Sequence, residues 1–245
     1  MSLAILIPLC SNNQDWKTVA DIDFFDVFLD GFMLTYSNRQ KFKFYVGLDE
    51  NDEFLVNNLE KMKKRCHEDL FEFFVLPKTC NGNPCHAWTL LYEEALKDKN
   101  HDYFYQCGSD IIHQTPNWDT YLINQLKKMG NKGIVGGVDF PLWMERVIRD
   151  QNGILENVMV TRDHYETFGW FFPPEVKTWF SDDMITRIYL NAEMCRICTN
   201  IHYTNSNRVG GHNEKSRYVP PEKEAIANTW RNIADNYSVK IFEKK

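Results

Sequence analysis

An unbroken apolar run, residues 3–8, opens the chain. A run so short and so continuous predicts a β-strand covered on both faces. Val19, Ile22, Phe25, Phe28, Phe32 and Leu34 then recur at spacings near three and four, which predicts an amphipathic helix. Residues 41–48 are aromatic and β-branched and predict a second strand. Leu55, Leu59, Met62 and Cys66 repeat on one helical face behind Asn51 and Asp52, both of them capping residue types. A third strand is predicted over 71–76. After the loop Asn81, Gly82, Asn83, Pro84, the positions Ala87, Trp88, Leu91 and Ala95 mark a helix, and 102–107 a fourth strand. Repeated βαβ units of this length give a mostly parallel, helix-covered sheet with right-handed crossovers.

Beyond residue 110 the order loosens. Thr115 as N-cap with Pro116 at the first helical position predicts a helix carrying Trp118, Leu122, Leu126 and Met129 and closed by Gly130. Strands are predicted over 133–138, 155–161 and 195–203, a turn at Asn152-Gly153, and a helix over 181–193. There is no internal repeat and no long linker, so the reading is one domain over 1–245. It divides into a nucleotide-binding half, 1–110, an acceptor half, 111–219, and a C-terminal helix and tail, 220–245.

Composition narrows the function. With 43% hydrophobic and 25% charged residues, the chain has the balance of a folded protein, and disordered or collagen-like classes are excluded. The 34 acidic and 28 basic residues give a net charge of −6, without the basic footprint of a nucleic-acid partner. No apolar stretch approaches the ~20 residues of a membrane span. The N-terminal run lacks the basic start and cleavage site of a signal peptide. Seven cysteines without paired CxxC spacing read as free thiols, and the localisation expected is cytoplasmic.

No GxGxxG, P-loop or GxSxG is encoded, so a phosphate-bearing ligand needs another device, for which a carboxylate-held divalent metal is usual. Gly108-Ser109-Asp110 directly follows the fourth strand, where open α/β sheets bind ligands. Asp also starts ordinary turns at such places. Asp182 and Asp183 open a helix, where the macrodipole favours acids whatever the function.

Together these features resemble a family. Pro8-x-x-x-Asn12 ends the first strand, Asp49 ends the second, and the triplet at 108–110 precedes a Pro116-x-Trp118 helix start. This order is similar to that of the family-2-like GT-A nucleotide-sugar glycosyltransferases, whose short stand-alone members occur in bacteria and large DNA viruses. Residues 161–170, Trp179 and residues 181–185 resemble that family's acceptor segment, in which an aromatic-Gly-aromatic loop precedes an acidic pair opening a helix. The resemblance spans residues 3–215. In two places the chain departs from the pattern: Gly108 replaces the first carboxylate of the Asp-x-Asp triplet, and the acidic pair is Asp-Asp where Glu-Asp is common.

The resemblance implies a GT-A-like single domain, a Rossmann-like, mostly parallel mixed sheet flanked by helices. It implies a metal-dependent hexosyl- or pentosyltransferase moving a sugar from a UDP-linked donor to a hydroxyl of a glycan or glycoprotein, with inversion. Pro8, Ser11, Asn12 and Asp49 would line the nucleoside pocket, and Ser109, Asp110, Arg208 and Lys215 would hold the diphosphate. Mn²⁺ or Mg²⁺ would sit on Asp110 with His212 or His202, and Asp182 or Asp183 would be the general base. Phe168, Trp170, Phe171, Phe172 and Trp179 would supply core and an exposed acceptor platform. A viral member would work in the host cytoplasm. Two alternatives stand beside this. A nucleotidyltransferase would carry a Gly-rich basic loop after the first strand, whereas residues 10–15 hold no glycine and no cation. A non-catalytic carbohydrate-binding module on the same fold would account for Gly108.

Overall fold

A computed structural model describes residues 2–140, 153–205 and 226–244. Its centre is strand β1 (Ser2–Leu9), flanked in parallel by β2 (Lys41–Asp49) and β4 (Tyr103–Gln106), with β3 (Phe71–Leu76) outside β2. Four further strands, β5 (Ile111–His113), β6 (Ile134–Asp139), β7 (Val158–Thr161) and β8 (Cys195–Asn205), complete one eight-stranded sheet of order β3-β2-β1-β4-β7-β6-β8-β5. β7 runs antiparallel to both β4 and β6, and β5 antiparallel to β8. All other pairings are parallel, as the pattern of the first half requires.

The unbroken apolar run of β1 is explained by its two faces. Leu3, Ile5, Ile7 and Leu9 enter one core with Phe28, Phe32, Leu122 and Leu126, while Ala4 and Leu6 enter the other with Leu91, Tyr92, Ile185 and Ile188. The period-two alternation of a strand sends successive residues to opposite sides, and both sides are covered by helices. Those helices are α1 (Leu29–Thr35), α2 (Glu53–Asn57), α3 (Leu59–Arg65), α4 (Pro84–Lys97), α5 (Trp118–Lys128), α6 (Arg162–Phe168), α7 (Ser181–Asn191) and α8 (Trp230–Glu243). Pro8 is tolerated inside the sheet because the β1–β4 ladder ends at Leu6 and Gln106, so its missing N–H faces no partner strand.

Several predicted elements are corrected. The helix expected over 19–34 is three pieces: a 3₁₀ turn (Val19–Asp21), a π-helical turn (Phe24–Phe28) and α1. The wide turn lets Phe24, Phe25 and Phe28 all point inward, and Leu34, off the buried face, is 84% exposed. The face from Leu55 to Cys66 is interrupted at Asn58, which ends α2 and starts α3. Thr115 does not cap α5; that position is taken by Asn117 in a left-handed conformation (φ 60°), and the Thr115 hydroxyl accepts the His202 N–H at 2.8 Å. The strand expected from 155 begins at Val158, α6 occupies residues expected to be loop, and β5 was not predicted. Asn152 lies outside the described residues.

Candidate active site

The carboxyl ends of β1, β2, β4 and β8 share one edge of the sheet, and the acidic residues singled out in the sequence fall at or near it. After β1 a turn closes when Gln14 N–H donates to Ser11 O at 3.0 Å, with Asn13 in a left-handed conformation (φ 59°) and Asn12 exposed. Ser11 donates both its N–H and its hydroxyl to Asp52, each at 2.7 Å. Asp52 also accepts the Leu55 N–H at 3.0 Å and so caps α2. One carboxylate thus ties the turn after β1 to the turn after β2, and the Ser11 hydroxyl proton is committed to that tie.

Asp49, the last residue of β2, is buried, and desolvation followed by the charge of Asp52 pushes its carboxyl up to about 6. The Cys80 thiol close by is pushed up to about 12 by burial and then by Asp49. Pro8 is buried against Gly47. Between β1 and β4, Trp88 Nε1 donates to the carbonyls of Leu6 and Cys107, both at 3.3 Å, closing the gap where the two strands part.

Gly108 N–H donates to Asn157 Oδ1 at 3.4 Å, Ser109 is buried, and Asp110 Oδ2 accepts from Asn205 Nδ2 at 2.9 Å. A Cβ on residue 108 would stand 2.5 Å from Asp110 Oδ1. Glycine in the triplet is what this Asp110 conformation requires.

The two aspartates at the start of α7 diverge. Phe180 before them is left-handed (φ 67°), a conformation that costs a bulky residue ~1–2 kcal/mol, and its ring is stacked on Trp230 at 5.9 Å. Asp182 accepts the Asp183 N–H at 3.1 Å and lies within electrostatic range of Cys85 at the start of α4 and of the Tyr203 phenol on β8. Asp183 instead faces a groove of about 500 Å³ lined also by Thr186, Arg187, Trp230 and Arg231.

β8 joins these parts. Asn205, which holds Asp110, and Tyr203, whose phenol feels the charge of Asp182, are two residues apart and share a face of the strand, ~7 Å along it. His202 lies on the alternate face: its Nε2 is 2.9 Å from Thr199 O and its ring stacks on Phe140 at 4.9 Å. His212, Arg208 and Lys215 lie outside the described residues. Among the described residues no three His, Cys, Asp or Glu side chains form a metal-holding group. The aromatic segment is mostly core: Phe168, Trp170, Phe171 and Phe172 are buried around His164, and Trp179 is 42% exposed. Asp52, Asn157, Tyr203 and Asn205 belong to the site's frame, and of these only Asp52 carried a sequence signal, as a cap.

No family model and no curated protein sequence matches the chain. Solved structures do. Over 96% of its length the chain superposes on S. aureus TarS in complex with UDP, with a TM-score of 0.59 and 14% identity, and it spans 65% of that chain. The mannosyltransferase PcManGT from Pyrobaculum calidifontis, in complex with GDP-Man and Mn²⁺, superposes over 97% of the chain and 72% of its own length, with a TM-score of 0.60 and 14% identity. S. aureus TarS in complex with UDP-GlcNAc gives a TM-score of 0.58 at 14% identity over 97% of the chain and 70% of its own. The chain therefore has a GT-A-like fold, a mixed, mostly parallel sheet flanked by helices, shared with proteins whose structures hold nucleotide sugars.

Proposed function

We propose that the chain transfers a sugar from a nucleotide donor, UDP-linked, to a hydroxyl of a glycan or glycoprotein, with inversion and with Asp182 as general base. The observation that carries this reading is the setting of Asp110, held by Asn205 of β8 directly after the carboxyl end of β4, at the same edge of the sheet as the buried Asp49. In this reading Asp110 and Asp182 are two carboxylates of different duty. Inverting transfer needs a base on the acceptor side and charge neutralisation on the leaving diphosphate.

Asp49, buried and without a hydrogen bond from the described residues to its carboxylate, is suited to accept from ribose hydroxyls or the uracil N–H. Asp110 supplies one hard oxygen ligand at the strand edge. That fits Mg²⁺ or Mn²⁺, which bind through one or two carboxylates plus substrate phosphates. A divalent ion held there would neutralise the diphosphate as it leaves. Asp182, on the other wall, takes the proton of the acceptor hydroxyl, and Trp179 offers a half-exposed ring for sugar stacking. Asp183 faces away and serves the helix start. Arg208 and Lys215 supply cations for the diphosphate, and His212 is the further ligand proposed for the ion, because His202 is turned to Thr199 and Phe140 on the other face of β8. The reading places the chain in the cytoplasm, and no described helix is long and apolar enough to cross a membrane.

The test is a thermal-shift screen of nucleotide sugars with and without Mn²⁺, followed by measurement of UDP released. A UDP-sugar should stabilise the protein more strongly with the metal and be slowly hydrolysed. Binding without any release of UDP points to a non-catalytic module, and formation of a nucleotide sugar from UTP and a sugar phosphate points to nucleotidyl transfer. Either result overturns the proposal.

A further inference from the structure

The two ends of the sheet are unlike. β5, at one end, is three residues long and has α1 against it, where a Cβ on Gly31 would stand 3.3 Å from His113 N. β3, at the other end, runs for six residues and pairs on one side only, with β2. The bonds from Phe44 N–H to Leu70 O, at 2.8 Å, and from Glu50 N–H to Leu76 O, at 2.9 Å, show which of its groups face β2. In an extended strand the N–H and C=O of one residue point to the same side, and the side alternates from residue to residue. The even positions from Leu70 to Leu76 are thereby turned to β2. Phe71, Phe73 and Val75 hold their N–H and C=O outward, where no described strand meets them.

The side chains of these three residues share one face. Phe71 and Phe73 are half-buried against the core beneath it, and Val75 is 47% exposed. Beside them a cleft of about 770 Å³ opens toward the end of α3, with Phe71, Phe73, Lys64 and Glu68 in its lining. Glu72, the one charge within the strand, lies on the opposite face and is held by Lys43 at 2.7 Å. The edge is apolar where its outward backbone groups are.

We propose that a second copy of this chain pairs here, β3 to β3, antiparallel about a two-fold axis at Phe73. Because side chains alternate between faces, such an axis keeps the faces matched only when it passes through a residue position, and three positions keep most of the strand paired. An axis at Glu72 sets two like carboxylates opposite each other. An axis at Phe74 sets Phe71 opposite Pro77, which has no N–H to give. An axis at Phe73 serves all three outward residues: Phe73 meets its own copy, and Phe71 meets Val75. The same register brings Glu68, just before the strand, close to the partner subunit's Lys78, just after it. Both are exposed and their charges are opposite, twice over by symmetry. Each Val75 enters the other copy's cleft beside Phe71. The contact is isologous and closes at two copies. Antiparallel pairing points the two carboxyl edges in opposite directions, so neither copy covers the other's candidate site.

Sedimentation equilibrium over a concentration series tests this on the full chain. Wild type should dimerise reversibly. Val75→Pro removes an outward N–H that the single chain does not use, a place where an end strand tolerates proline. It should raise the dimer's dissociation constant about tenfold or more, since symmetry deletes the bond twice, and leave the melting temperature of dilute protein unchanged. Should Val75→Pro fail to fold, Val75→Lys, which carries an ammonium into the cleft against Phe71, should give the same loss. The register is read by cross-linking under oxidised glutathione, with wild type, whose cysteines are all buried or half-buried, as the blank. Phe73→Cys should form a disulfide-linked dimer, since opposite residues of a bonded antiparallel pair have Cα atoms ~5.5 Å apart, within disulfide reach. Val75→Cys, at the more exposed position, should not, because it faces Phe71. A wild type that stays monomeric at hundreds of micromolar overturns the proposal and leaves this edge to a strand of another protein. A dimer that the Val75 variants leave intact, one that links through residue 75 in preference to 73, or association that continues past two copies overturns it equally.

Discussion

Gly108 and Asp110 are sterically coupled: a Cβ on the first would lie 2.5 Å from Oδ1 of the second. The glycine that interrupts the acidic triplet therefore belongs to the conformation of the carboxylate that remains. Asp110→Asn should weaken UDP binding in Mn²⁺ and leave binding in EDTA nearly unchanged. Gly108→Ala should produce a milder version of the same loss by swinging Asp110 aside. Because that clash is relieved by a side-chain rotation, its cost in stability should stay below ~1 kcal/mol. Titration calorimetry of UDP with and without the metal reads both, and equal wild-type affinity in the two buffers removes the metal role from Asp110.

Asp49 predicts a pH dependence of opposite sign for binding and for stability. With its carboxyl raised to about 6 by burial, an accepting carboxylate is lost as pH falls, so UDP affinity should drop about tenfold between about pH 7.5 and about pH 5. The same raised value means that the folded chain binds this proton more tightly than the unfolded chain, so keeping Asp49 ionised costs stability above pH 6. Asp49→Asn should accordingly weaken UDP binding, abolish its pH dependence, and raise stability at neutral pH by ~2–3 kcal/mol. A less stable Asp49→Asn protein with wild-type affinity removes Asp49 from the pocket.

Asp182 and Asp183 separate catalysis from helix capping. Replacing Asp183 with Asn should cost the ~0.3–1 kcal/mol of a helix-dipole charge and leave turnover intact. Asp182→Asn should keep fold and donor affinity and lose about 10²–10⁴-fold in transfer rate. Rates and melting temperatures of the two single variants decide it, and the reverse pattern assigns the base to Asp183.

Two fully buried histidines set the acid limit of the fold. Burial lowers His113 to about 3 and His164 to about 4; His164 is held neutral between the Tyr189 hydroxyl at 2.6 Å and the Phe171 carbonyl at 3.0 Å. For such groups the unfolded chain takes up protons that the folded chain refuses. Their contribution is complete above the ordinary histidine value near 6.5 and falls as pH drops toward 4. Chemical-denaturation stability should decline by ~2–3 kcal/mol per pH unit between about pH 6 and pH 4, twice the slope of one group. Half that slope means that one ring is protonated in the fold, and a flat profile that both are.

The parts of this site that the sequence displayed are those whose chemistry sits beside a local pattern. β1 was readable because both its faces are buried, and Asp49 and Asp110 because each directly ends a strand or its following turn. The frame was not readable. Asp52 carries a cap signal in its own helix, but nothing local shows that it also reaches back to Ser11. Asn205 gains meaning only from a residue 95 positions away, Asp110, which the sheet brings to it. The rich aromatic stretch after Thr161 suggested a binding surface, yet His164 draws most of it inward as core. The broken helix from Val19 to Thr35 was hidden because a π-turn keeps three phenylalanines buried without holding to the 3.6-residue period.

β7 is supplied by the second half of the chain but lies in the middle of the sheet, between β4 and β6. A fragment ending after Asp139 would keep the whole parallel block and lose the strand that covers the outer side of β4. Its Tyr103, Phe104, Tyr105 and Gln106 carry no charge and are all buried in the complete fold. Once bared, they make an open hydrogen-bonding edge without the lysines, prolines or bulges that deter self-pairing. The first half is then a template for aggregation, and a proteolytic nick between β6 and β7 is survivable only while the severed strand stays in its slot.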